Sequence, residues 1–519
     1  MRLLCALLFA VLAGAQELPL ALVYSPDGKF VLVLDSGAKP AVSVRDPADP
    51  GREISRLDLQ DAWLGLIFGP DKKTLYASGG SRGSVFEIAY SPDGTLKLQR
   101  EMKAADFVGD VQLSPDGRLI YAADVFSNLI VVVNPQSGRV IDRFKTGRRP
   151  YRIVFHPDGK SYFVSSWADS AVYQYSTVNG EELGRIRLGP HTGDMILSAY
   201  QPPVEVGESK PDWKYRLFVA ASNTNNVYTV GIADNKTMRL VDTIDVAPEP
   251  RSPLGMTPSA LSLSPDQQTL YVVCSDAGTI ARVDVSEERG FVENYSHPGA
   301  GNVYDFYPIA AVGADDGSAV IAFQAQNEIA KVPESQFGAF VQSNGYILVD
   351  TPPRLPAQIT EHVVYLVGET KPAELMRAIA GVAPDFTVKL AHQTKFDLAD
   401  PANTPPAGYL WTNALAAGMT VQIYGAFMKD GKAIDPAVRQ FSDPDVKTFF
   451  QDLKEGEASG DMPRLILMQV PDPTTQQAVA EAIKKSKFGS TTEIVTDDLS
   501  RVEALLGLKP MTRRDAIRR

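Results

Sequence analysis

Residues Phe107–Asp194 read FVGDVQLSPDGRLIYAADVFSNLIVVVNPQSGRVIDRFKTGRRPYRIVFHPDGKSYFVSSWADSAVYQYSTVNGEELGRIRLGPHTGD, and one pattern is written twice in them. An alternating apolar run ends in a Pro-Asp-Gly turn, at Pro115-Asp116-Gly117 and again at Pro157-Asp158-Gly159. A second apolar strand follows (Leu119 to Ala123; Ser161 to Ser165), then a polar loop and a third (Leu129 to Val133; Ala171 to Tyr175). An Asn-containing turn ending in Gly leads to a fourth (Arg139 to Lys145; Glu182 to Leu188). The period of roughly 42 residues is that of four-stranded propeller blades.

The repeat can be phased outward from this stretch. Turn anchors fall at Ser25 to Gly28, Gly69 to Lys72, Ser114 to Gly117, His156 to Gly159, Pro211-Asp212, Ser264 to Gln267 and Ala314 to Gly317, which makes seven units. The residue types suit the corner: Pro presets φ, Asp bonds its own backbone, and Gly supplies positive φ. A sheet of four short strands cannot bury both faces alone, whereas a ring of such sheets can, leaving only short, protected edges.

These repeats resemble the YVTN-type β-propeller family, itself similar to bacterial lactonase-type propellers. The residues that carry the likeness are SPDGRLIYAADVFSNLIVVVN from Ser114, HPDGKSYFVSSWADSAVYQY from His156 and LSLSPDQQTLYVVCSDAGTIARVDV from Leu261. The resemblance implies a fold and leaves function open, because propellers host many activities. Few residues precede the first turn, so the last blade is expected to close with its own outer strand, over Tyr346 to Asp350.

Blade geometry puts two sets of loops on one face around the central channel. They carry Asp61, Trp63, Asp106, Asp110, Arg148, Arg149, Tyr151, Trp167, Asp169, His191, Asp194, Tyr304 and Asp305. Aromatics with both charge signs suit recognition of a protein or small polar ligand there. The competing reading is that such loops are polar because they are exposed. No acid/His pair in them shows metal-ligand spacing.

Charge and composition set limits. The chain has 519 residues, 44% hydrophobic and 22% charged, with a net charge of −11. Nucleic acid is excluded as an expected partner, since phosphate binding needs a concentrated basic surface. The opening MRLLCALLFAVLAGAQ combines Arg2, an apolar core and small residues at Ala13 and Ala15, the pattern of a signal peptide over residues 1–15. Export to a bacterial periplasm or beyond is therefore expected. No later stretch is long and apolar enough for a membrane helix. Cys274 would be the one cysteine left after cleavage, and it is read as a buried, inert thiol.

The propeller is thus expected over residues 16–350, followed by a proline-rich linker at 351–360. From 361 to 510 the pattern becomes α/β, with a basic tail at 511–519. His362 to Val367, Val421 to Tyr424, Arg464 to Val470 and Thr492 to Val495 read as strands. Pro372 to Ile379, Leu410 to Gly418 and Thr475 to Ser486 read as helices. The fold class read from the whole chain is mainly β: a seven-bladed β-propeller followed by a reduced α/β domain.

The segments HVVYLVGET from His362, PPAGYLWTNALAAGMTVQIYGAF from Pro405, DMPRLILMQVPD from Asp461 and KFGSTTEIVTDD from Lys487 resemble the phosphoesterase domain of the alkaline phosphatase superfamily. That resemblance implies metal ions held by Asp, Glu, Asn and His, and an oxygen nucleophile. Where the family places Glu-Asn and then Thr or Ser, this chain has Glu369-Thr370-Lys371-Pro372, and where it places Asp-His, this chain has Asp472-Pro473. Asp497 and Asp498 stand where acidic ligands are expected, but the later His segment is missing. Of the two histidines here, His362 opens a strand and His392 sits in KLAHQTKF, and both read as structural. Glu369, Asp472, Asp497 and Asp498 are vestigial metal-ligand candidates. Gathered together, they could hold a divalent cation such as magnesium or calcium. The expected function is binding or scaffolding with an inactive phosphoesterase-like domain and no catalytic residue or resident cofactor; the alternative is a metal-dependent phosphoesterase or a lactonase-like propeller hydrolase.

Overall fold

A computed structural model describes residues 18–203, 211–233, 236–249, 252, 254–296, 307–324, 327–338, 347–348, 360–390, 397–425, 427–429, 432–433, 435, 437–441, 446–508 and 517–518. The expected signal peptide, the linker at 351–359, Tyr304, Asp305, His392 and most of the tail lie outside these residues.

The turn chemistry builds the blades. In the first, Ser25 Oγ donates to Asp27 Oδ1 at 2.7 Å and accepts from Phe30 N at 3.0 Å, while Gly28 takes φ 71°. The third repeats this with Ser114, Asp116 and Leu119 around Gly117 at φ 69°. The sixth does so with Ser264, Asp266 and Thr269, Gln267 taking the glycine's place at φ 62°. Each turn joins the innermost strand of a blade to the second.

Seven antiparallel sheets result, spanning 19–58, 66–103, 108–145, 150–187, 192–245, 258–296 and 308–332. The first six have four strands in sequence order from channel to rim; the seventh has three among the described residues. The sixth gains a fifth strand, Phe337–Gly338, on its outer edge. Ile347–Leu348, inside the stretch expected to close the last blade, pairs with Ile517–Arg518 instead. Several second strands are buried throughout, among them Val31–Asp35, Ile120–Asp124 and Ser161–Ser166. Cys274 is fully buried on another second strand.

A register break recurs at the rim. The ladder between the third and outer strands shifts in each of the first six blades, at Val44/Arg45 and again at Arg45/Asp46 in the first, then at Glu87/Ile88, Val132/Val133, Gln174/Tyr175, Thr229/Val230 and Arg282/Val283. Such bulges bend a strand and increase its twist.

The C-terminal third forms a five-stranded, wholly parallel sheet. Its order is Arg439–Phe441, Val421–Tyr424, Leu465–Gln469, His362–Val367, Thr492–Thr496. Among the described residues six α-helices accompany it: α1 (Pro372–Ala380), α2 (Asp385–Lys389), α3 (Leu410–Ala416), α4 (Lys447–Ser459), α5 (Pro473–Lys485) and α6 (Leu499–Leu506). The strands and helices read from the sequence appear within a few residues of their expected ends. Sequence reading missed α2, α4, α6 and the Arg439–Phe441 strand. One apolar cluster runs from the propeller mouth into this layer, joining Trp63, Tyr151 and Trp167 to Phe386, Val388 and the sheet residues Val363 and Tyr365.

Candidate functional site at the channel mouth

The loops expected to form a binding face are occupied by the chain itself. Trp63, Tyr151 and Trp167 converge at the channel mouth, with ring centroids 4.2–6.4 Å apart, and none is more than 1% exposed. Helix α2 caps them. Its proline N-cap, Pro384, starts a single turn whose five residues are all buried. Phe386 meets Trp167 edge-on at 4.6 Å, and Trp63 Nε1 donates to Lys389 O at 2.8 Å. Lys389 Nζ donates to Tyr151 OH (2.5 Å), Ser259 O (3.0 Å) and Asp385 Oδ2 (3.0 Å).

A second line of contacts runs along the rim of the mouth. Arg149 pairs with Asp400 at 2.7 Å, Asn223 Nδ2 donates to Thr404 O at 2.6 Å, and His191 Nε2 lies 3.0 Å from Pro401 O. Burial pushes His191 down to about 4, so it is a neutral packing imidazole at ordinary pH.

Beneath α2, Arg152 bridges Asp194 (2.6 Å) and Asp110 (3.1 Å). Asp110 also accepts from Ile153 N, and Asp194 from Leu261 N, both at 2.8 Å. One guanidinium and two carboxylates thereby tie the third, fourth, fifth and sixth blades together. Burial raises the Asp110 carboxyl above its ordinary value, with Arg152 opposing it, and Arg152 is held firmly protonated.

The remaining expected residues stay in their loops. Asp61 accepts from Ala62 N and Ser81 Oγ, and Asp106 from Ser127 Oγ. Arg148 pairs with Asp169 at 2.7 Å, an exposed contact of little energetic weight. Sequence reasoning did not single out Arg152, Ser259, Asn223, Asp385, Lys389 or Asp400. Only Arg152, one residue past Tyr151 on an innermost strand, gave a local signal.

Three of the four acidic candidates share a cleft and the fourth lies outside its lining. Glu369, Asp497 and Asp498 line one cleft of about 310 Å³ with Glu374, Arg377 and Ser500, beyond the ends of the His362–Val367 and Thr492–Thr496 strands. Asp472 is not in that lining: it caps α5, accepting from Thr475 N (2.8 Å) and Oγ1 (2.6 Å), which hold its carboxyl below the usual range. Asp498 caps α6 through Ser500 Oγ and Arg501 N, and Asp497 accepts from Gly368 N at 2.9 Å. His362 Nδ1 lies 3.0 Å from Pro463 O, against the Phe488 ring. Among the described residues, no three His, Cys, Asp or Glu side chains are grouped so as to hold a metal ion.

These features define a class: a seven-bladed β-propeller whose channel mouth is filled by one helical turn from a parallel α/β layer. No family model matches the chain, and no curated protein matches it. Solved structures similar to it include hydrazine synthase from Kuenenia stuttgartiensis (15% identity, 61% of this chain and 96% of that one, TM-score 0.48). U3-55K matches at 10% identity over 62% and 96%, with TM-score 0.48. The periplasmic gluconolactonase PpgL of Pseudomonas aeruginosa matches at 18% over 52% and 82%, with TM-score 0.39. With TM-scores below 0.5, these likenesses carry no functional argument, and the fold rests on the strand ladders themselves. No helix of the described residues is long and apolar enough to cross a membrane.

Proposed function

We propose that the protein is an exported, non-catalytic binding protein: a propeller that carries a degenerate phosphoesterase-like layer on its channel face. The observation that carries the reading is how the candidate ligands are used. Asp472 and Asp498 close helix N-termini and Asp497 holds the Gly368 amide, so three of the four carboxylates have structural work. Thr370 and Pro372 stand where a ligand and a nucleophile would be needed. The signal-like N-terminus supports export, and the acidic net charge fits a partner other than nucleic acid.

A hydrolytic reading has one observation in its favour, the shared cleft of Glu369, Asp497 and Asp498. The two readings separate in one assay. The purified chain is expected to turn over neither phosphate monoesters nor diesters with magnesium, calcium, manganese or zinc. Metal-dependent turnover that disappears in Glu369→Ala would replace the binding reading with the hydrolytic one.

A further inference from the structure

We propose that the mouth of the propeller channel is a recognition site for a primary ammonium on an alkyl stem, and that Lys389 is its resident ligand. The proposal rests on reading the channel face as the protein's binding face. A primary ammonium has three N–H donors and no acceptor. Lys389 Nζ finds three acceptors, two supplied by the propeller: the Tyr151 hydroxyl and the Ser259 carbonyl. The third is Asp385, one turn back on α2 itself.

The wall behind these contacts has the matching charge. Asp110, Asp194 and Asp276 are each at most 5% exposed, and Arg152 offsets them only in part. With α2 removed, the propeller side of the mouth keeps an excess of buried negative charge and a carbonyl and hydroxyl aimed at a vacated cation. Two further contacts extend the specificity from an amine to a peptide. Trp63 Nε1 reads the main-chain carbonyl of the same lysine, and Trp167 takes the aromatic ring three residues earlier. The ligand class is therefore a lysine side chain, best presented as Phe-x-x-Lys on one helical turn.

Chemical rescue of the full-length protein tests the site. Lys389→Ala opens the space and is expected to lower Tm by roughly 5–10 °C, because it strands buried carboxylates. Adding n-propylammonium, the fragment the alanine variant lacks, is expected to restore most of that loss saturably, and to leave the wild type unchanged. Propan-1-ol supplies the stem without charge, and tetramethylammonium supplies charge without N–H donors; neither is expected to rescue. Equal rescue by all three, or by none, would overturn the proposal. Lys389→Met, which keeps the volume and removes the charge, covers the case in which the alanine variant does not fold. It is expected to melt below wild type, and a Tm at or above wild type would overturn ammonium recognition. Phosphatase turnover would sink the binding reading without altering the rescue, so the two failures are distinguishable.

Discussion

Asp385 is enclosed between α2 and the propeller wall, one oxygen bonded to Lys389 and the other without a hydrogen-bond partner among the described residues. Burial raises its carboxyl to about 6, against the pull of Lys389. The folded protein thus holds this proton more firmly than the unfolded chain, whose carboxyl stays near 3.8. The sign follows: its contribution is most favourable below about pH 4, declines as pH rises through the window from 3.8 to about 6, and is flat above. Denaturant titrations of wild type against Asp385→Asn across pH 4–7 should show wild type losing ground as pH rises, by on the order of 2–3 kcal/mol. A difference independent of pH would mean that Asp385 is ionised throughout.

At the scale of elements, the Pro-Asp-Gly corners and the short helix at the mouth had opposite fates in the sequence. The corners were legible because their chemistry is local: Ser114 and Asp116 are two residues apart, and Leu119 completes the bond set within five. The same locality made the His362–Val367 strand readable from its apolar run. Helix α2 was not, because what fixes it is distant. Lys389 reaches Tyr151 across 238 positions and Ser259 across 130, and nothing in the run DFTVK announces either partner. Of the expected channel-face residues, Trp63, Tyr151 and Trp167 come together, and their residue types say nothing of whether solvent or the chain's own helix covers them. A corner can be tested directly. Gly117 has φ 69°, and a Cβ there would stand 2.6 Å from Pro70 Cγ in the neighbouring blade. Gly117→Ala should cost about 1–3 kcal/mol, from backbone strain and the inter-blade clash together, read as a lower urea midpoint at unchanged slope.

For the molecule as a whole, the propeller and the α/β layer share one apolar cluster, and a belt of polar contacts runs along one side of it. Arg149 with Asp400 and Asn223 with Thr404 form that belt, and the burial of Asp400 protects the ion pair from solvent screening. They hold the 397–404 segment to the rim while α2 fills the mouth. Combining Arg149→Ala with Asn223→Ala should loosen this attachment without melting the blades. Amide exchange in residues 385–390 and 397–404 is expected to accelerate on the order of 10–100-fold, with the Thr74–Ser78 strand unchanged. Uniform acceleration throughout would instead mean that the belt stabilises the whole ring.

The six bulged rims bear on how this chain behaves among copies of itself. A straight, unpaired outer strand is a template on which a neighbouring molecule can continue a ladder. In the first five blades the outer strand carries an inserted residue that breaks the ladder register and skews its direction, and in the sixth the bulged strand is covered by Phe337–Gly338. A protein that lines up so many strand edges on its circumference thus gains protection from fibrillar growth in crowded solution.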